Sequence, residues 1–302
     1  MTNRVRVHLF LSTVLLASSI PAARPVEAQQ SVAVRRAAIP DIPVRISGAF
    51  AQLRIRGWDH DSVVLTGTLP KDTRFDGGMG TVPGPSRGAK FWIEAASPDA
   101  GGGTLELMVP ARARVWVKTA NARVEVEGVT GEIDLNIIAG SITVRGNPRE
   151  ANLESMDGSV TVTGSPTWMR IKTGDGNVVV RGSSEDIAIN TVGGRINVHD
   201  GPFERARIES VTGALAFEGL LVRSASFSMD SHSGAIHFST PLAASVSIDA
   251  RTLTGSIENK LNFRRPSPGR EGRGEELALE LGSGGALATL RSFKGSIRLT
   301  AR

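Results

Sequence analysis

Between Glu132 and Phe203 the chain repeats itself every 18 residues. Four consecutive units carry Gly140-Ser-Ile-Thr-Val-Arg-Gly146, Gly158-Ser-Val-Thr-Val-Thr-Gly164, Gly176-Asn-Val-Val-Val-Arg-Gly182 and Gly194-Arg-Ile-Asn-Val-His-Asp200. The same frame returns at Ala122, Gly213, Gly234, Gly255 and Gly295. A fixed period of about 20 residues marks an architecture in which each unit leans on its neighbours.

Within a unit, count from the framing glycine as position 0. Positions +2 and +4 are apolar, as in Ile142/Val144, Val160/Val162, Val178/Val180 and Ile196/Val198. Positions −7 and −5 are apolar or small, as in Ile133/Leu135, Ala151/Leu153, Met169/Ile171 and Ile187/Ile189. Alternation at period 2 places each pair on one face of a short strand, and a helix would need a period of about 3.6. An 18-residue unit has no room for a helical crossover. Equivalent strands must therefore stack directly and in parallel, so the sequence predicts an all-β chain wound as a parallel β-helix. Position −3 reads Thr119, Ile137, Ser155, Thr173, Thr191, Ser210, Ser231, Thr252 and Ser292. Parity turns it inward just before a corner, where a hydroxyl can bond turn backbone that would otherwise be buried unpaired. Past Gly213 the spacing grows to 21 residues, and the pattern breaks before it is restored at 288–300.

The N-terminus carries a different signal. Arg4 and Arg6 precede an apolar run from Leu9 to Ile20, Pro21 breaks it, and Val26-Glu27-Ala28 offers a cleavage site. This layout predicts a signal peptide over 1–28, cut after Ala28, and an exported protein. The run falls short of the ~20 residues that span a bilayer, so no transmembrane segment is expected after cleavage. Residues 29–43 read as a flexible lead and 44–302 as one β-solenoid domain. Two Gly- and Pro-rich stretches, 76–88 and 264–276, read as exposed loops. The first lacks the Gly-Lys-Ser/Thr of a phosphate loop.

The chain has no cysteine, which excludes a disulfide framework and a thiolate zinc site. Net charge is +5, and removing residues 1–28 leaves +3. No long basic cluster points to nucleic acid, so none is expected as a partner.

The recurrent Gly-x-Ile/Val-x-Val-x-Gly units, the Gly57-Trp58-Asp59 entry, the Leu107-Met-Val-Pro110 lead-in and the closing Gly295-Ser-Ile-Arg-Leu299 carry a resemblance. From about Val44 to Arg302 the chain resembles the bacterial putative-adhesin family of β-helical cell-envelope domains of unknown function. The resemblance implies a right-handed, single-stranded β-helix with an adhesin or envelope role, and it supplies no catalytic residues. The degraded unit around Gly255 and the Arg-rich insertion depart from the pattern. They leave the pairing order over 240–300 open.

A search for chemistry returns no catalytic, cofactor-binding or metal-ligating constellation. His60, His199, His232 and His237 are scattered, without the spacing of a metal site. Asp157 and Asp175 share position −1, one unit apart, but Asp-Gly turns explain both. Arg170-Ile-Lys172 resembles a short motif of β-helical polysaccharide hydrolases, without the paired aspartates such enzymes need. Trp116 falls on an outward position and Trp168 begins the unit containing Gly176, and an exposed ring can stack on sugars. Cover by the N-terminal strands or the 76–88 loop is the simpler expectation.

The function expected from these readings is a non-enzymatic binding or scaffold module of the cell envelope, needing no cofactor. It would be periplasmic or at the cell surface, with a protein, glycan or lipid headgroup as partner. Two alternatives stand beside it. One is a carbohydrate-active enzyme, which a groove lined by outward carboxylates and a basic residue would favour. The other is an envelope filament that self-associates through the strand edges at the ends of the helix.

Overall fold

The computed structural model describes residues 29–79, 88–95, 102–269 and 272–302. The expected signal peptide, most of the 76–88 loop and residues 270–271 lie outside the described residues. These residues form 22 strands, β1 to β22 in chain order, and no helix.

The repeat is realised as a parallel stack. β9 (Glu132–Arg145), β10 (Glu150–Ser155) and β12 (Trp168–Thr173) pair in parallel, with Ile133, Ala151 and Met169 in one column. β11 (Ser159–Gly164) pairs β9 on one side and β13 (Val178–Thr191) on the other, joining Val144, Val162 and Val180. β9 and β13 each run through a corner and serve both sets, so the pairings β9–β10–β12–β13–β11–β9 close into a ring of five parallel strands. β14 (Ile196–Ser210) and β15 (Leu215–Ser231) continue the stack.

The inward columns are the expected ones, and Val144, Val162, Val180 and Val198 are all 0–1% exposed. A third inward column, which the strand pattern does not announce, lies on the short side between Gly146-type and −8 positions. Val129, Pro148, Pro166, Ser184 and Phe203 are buried there. Where the units lengthen, the wider interior needs bulkier filling. Phe217 packs at 4.5 Å from Phe227 and 5.3 Å from Phe238, with Phe203 at 6.0 Å (ring centroids).

From Gly158 onward the framing glycine is required by contact rather than by backbone angle, whereas Gly140 also has a positive φ of 109°. A Cβ on Gly176 would lie 2.0 Å from the carbonyl oxygen of Gly158, and one on Gly194 would lie 2.1 Å from that of Gly176. The hydroxyl at −3 serves the same corner. Ser155, Thr191, Thr252 and Ser292 each accept a hydrogen bond from the backbone N–H three residues on, at 2.8–3.1 Å. Thr119 and Ser231 are buried without a side-chain partner.

Both ends depart from the expectation. Residues 29–37 are not a flexible lead: β1 (Gln29–Ala37) pairs antiparallel with β4 (Ser62–Pro70), anchored by buried Val32. β5 (Arg74–Met79) pairs antiparallel with β6 (Ala89–Glu94), so the 76–88 stretch begins as strand. The 264–276 stretch is likewise not all loop. β19 (Ser267–Pro268) pairs with the start of β20 (Glu275–Leu281), which lies antiparallel on β17 (Val246–Thr252).

The last repeat does not extend the stack. β21 (Ala286–Ser292) sits between β15 and β17, and β22 (Ile297–Ala301) sits between β16 (Ile236–Thr240) and β18 (Ile257–Asn259). The N-terminal end is built the same way. β2 (Pro43–Gly48) lies between β6 and β8 (Arg114–Glu127), and β3 (Gln52–Trp58) lies between β7 (Thr104–Pro110) and β8. β2 and β3 near one end and β21 and β22 at the other therefore fill inner layers, while β1 lies outside β4. Antiparallel β4 and β5 flank β7 and β6 beyond one end, and β20 flanks β17 beyond the other.

Parity gives a direct test. Val180→Asp buries an unpaired carboxylate and is expected to cost roughly 3–5 kcal/mol. Arg181→Asp, on the exposed neighbour, is expected to stay within about 0.5 kcal/mol. Thermal melts of the two variants check this, and equal losses would overturn the assigned faces.

Candidate functional site

Position −2 follows the inward hydroxyl and projects outward at the corner. It reads Ala120, Ile138, Met156, Gly174, Val192, Val211, His232, Phe293 and Leu253 in stacking order. Six of these are exposed apolar side chains: Ile138 52%, Met156 63%, Val192 54%, Val211 47%, Phe293 43% and Leu253 40%. His232 joins the ridge by stacking flat on Phe293, with ring centroids 5.0 Å apart. Scattered apolar residues on a surface are ordinary, whereas apolar side chains recurring along one column, here interrupted at Gly174, mark an interaction site.

Beside the ridge runs the polar column of position −4, with half-buried Asn136, Glu154, Asn190, Glu209 and Asp230 and exposed Lys172 and Arg291. The buried −3 hydroxyls form the floor between them. The result is an open groove of about 690 Å³ from Lys172 to Phe293. A smaller stretch of about 370 Å³ shares Lys172 and Thr173 and carries it on to Asn136. These volumes are of the size that holds a ligand or an extended segment.

The polar wall is electrostatically uneven. Lys172 pairs with Glu154 at 3.2 Å, and Glu209 with Arg207 at 2.5 Å. Asp230 lies between Glu209 and Arg291 in register, without an ion pair among the described residues. Burial pushes its carboxyl above the ordinary value, with Arg291 opposing and Glu209 adding to the rise. Two outward carboxylates on adjacent strands, with a basic residue beside them, are thus present in one groove. The sequence reading found no such cluster, because Glu209 and Asp230 belong to units of different length.

The other residues singled out from sequence are dispersed. Asp157 and Asp175 are exposed on their turns, and a Cβ on Gly193 would lie 2.4 Å from the Asp175 carboxylate, which places those two positions in one column. Arg170 pairs with Asp186 at 2.9 Å, part of a cross-strand ion-pair ladder with Arg205. His60 meets Trp58 edge-on, His199 lies 3.8 Å from Glu218, and His237 meets Thr300 at 2.9 Å. Trp116 points outward, with the Arg45 guanidinium 4.9 Å from its ring centroid. Trp168 is uncovered, at 47% exposure. Asp200 is the single described non-glycine with positive φ, at 77°, in the column of Gly146, Gly164 and Gly182. No group of three or more metal-ligating side chains occurs among the described residues. Among them, too, no helix is long and apolar enough to cross a membrane.

The apolar ridge was legible in principle. Position −2, aligned as a column like position −3, shows it from the sequence alone.

The raised carboxyl of Asp230 has a measurable sign. Its protonated form is favoured by folding, so it contributes stability below the ordinary value of 3.8 that is lost as pH rises through the folded value. Asp230→Asn is therefore expected to raise the melting temperature at neutral pH and to leave it unchanged at pH well below 3.8. A lower melting temperature at neutral pH would show that attraction to Arg291 dominates.

Comparison with known proteins adds little. No family model matches the chain, and no curated protein matches it. One solved structure to which it is similar is that of a putative cell adhesion protein from Clostridium sporogenes. The two share 8% identity over 90% of this chain and 100% of the other, with a TM-score of 0.19.

Proposed function

We propose that this protein is an exported binding or scaffold module of the bacterial cell envelope, built on a right-handed parallel β-helix and working without catalysis. The observation that carries the reading is the apolar ridge beside the groove. One large exposed apolar side chain on most layers offers a partner an extended contact surface. Binding is spread over many layers, so no single polar residue is expected to abolish it. The test uses purified cell walls, outer-membrane vesicles and soluble periplasm in separate retention assays. A Val211→Asp, Phe293→Asp double variant is expected to lose retention at least about tenfold, as loss of two interface anchors does. Thr161→Asp, on the opposite strand set, is expected to retain it. Equal retention by both variants would remove the groove from the reading.

The enzyme alternative gains one specific observation, the Glu209–Asp230 carboxylates. Adjacent parallel strands lie about 4.8 Å apart, near the ~5 Å between the carboxyl groups of retaining glycosidases. A screen of envelope polysaccharides for reducing-sugar release separates the readings. The module expects no release from the wild-type protein. Release that disappears in Asp230→Asn would replace the module by a glycan-cleaving enzyme.

A further inference from the structure

A second surface lies at the N-terminal end, on the strand set formed by β6, β2 and β8. In register, one outward column there reads Lys90, Arg45, Trp116 and the next reads Trp92, Ser47, Lys118. Arg114 stands beside them, next to Pro43. Arg45, Lys90 and Lys118 are exposed, and Trp92 is 49% exposed.

The cations are the unusual feature. Lys90 and Arg45 face the same way on neighbouring strands, where like charges destabilise pairing. None of Arg45, Lys90, Arg114 and Lys118 has a carboxylate within ion-pair distance among the described residues. The opposite strand set of the same layers pairs two of its three arginines, Arg123 having no ion pair among the described residues. There Arg54 pairs with Glu125 at 3.3 Å, and Arg56 with Glu106 at 3.3 Å. Further along the cationic face, the repeats restore pairing through Lys172–Glu154 and Arg170–Asp186. Glu132, which stands next to Arg114, turns to Arg149 instead. Four cations without an ion pair thus share one face with two tryptophans, and Asp76 beside Trp92 and Asp134 beside Trp116 lie at its margins.

We infer that this face is a docking surface for anionic lipid headgroups. Charge complementarity selects an anionic partner, since basic side chains on a surface are drawn to anionic membranes. The tryptophans select a membrane over a purely polar polyanion, because an indole prefers the headgroup region, where one edge is apolar and the other wet. The surface is a flat sheet face rather than a groove, so several headgroups can be met at once. This inference is independent of the groove proposed above, which lies at the corner farther along the stack and uses other residues.

The test is co-sedimentation of the full chain with vesicles of phosphatidylcholine alone or mixed with phosphatidylglycerol. Binding is expected only with phosphatidylglycerol present, falling as salt rises. Arg45→Ser is expected to weaken it about fivefold, and Arg45→Ser with Lys90→Ser about 25-fold, at one Lys or Arg per step. Trp92→Ala is expected to lower binding at every salt concentration, and wild-type tryptophan emission to shift to the blue on binding. Circular dichroism melts confirm that each variant is folded, and Arg181→Ser on the opposite strand set serves as a folded control. Equal binding to neutral vesicles, or no loss in the double variant, would overturn the inference. So would retention on an acidic polysaccharide without any binding to anionic vesicles, which would assign the face to a glycan.

Discussion

The stack depends on how closely one turn of backbone can lie on the next. In each unit the corner must pass beneath the carbonyl oxygen of the preceding corner, and a Cβ on Gly176, Gly194 or Gly234 would lie 1.9–2.1 Å from it. That clearance lets the same strand of each unit meet its counterpart in register, so backbone groups are satisfied by neighbouring units rather than within a unit. The inward hydroxyl at −3 completes the corner by accepting its N–H. A single unit has neither of these partners, which is why the architecture exists only as an array.

An array of this kind leaves unpaired edges at its ends. Here β2, β3, β21 and β22 are tucked one layer inward, between strands that are not their sequence neighbours, and antiparallel strands lie beyond β6, β7 and β17. The C-terminal strand β22 would have to leave ladders on both of its sides to fray, whereas β1 is held by β4 alone. Those antiparallel strands also bear on the filament alternative, since the parallel edges of β6, β7 and β17 are not bare.

Surface chemistry follows from the same geometry. Each unit contributes one side chain to each outward column, so a binding feature is a property of a column rather than of a residue. Alternating signs in successive layers give the ion pairs Glu154–Lys172 and Arg170–Asp186–Arg205. Exposed pairs of this type contribute little each to stability. Their effect is to neutralise the face, and the unpaired cations around Arg45 and Lys90 mark where that neutralisation stops. In the groove, Asp230 stands apart because burial opposes its charge.

The all-β composition, the parallel register, the inward Val144–Val198 column and the corner hydroxyls follow from the sequence alone. They are local consequences of an 18-residue period and a two-residue alternation, both of which survive without coordinates. The apolar ridge was equally encoded, at one fixed position per unit. What only the tertiary structure decided lies where the period fails. Residues 29–37 and 275–281 pair with strands distant in the chain, and no short-range pattern specifies an antiparallel partner. The placement of 286–301 inside the stack depends on which open edge the chain meets on its return. Glu209, Asp230 and Arg291 come together for the same reason. Two of them lie in units of unequal length, the third in the inserted layer, and their adjacency is set by long-range strand pairing rather than by spacing in the sequence.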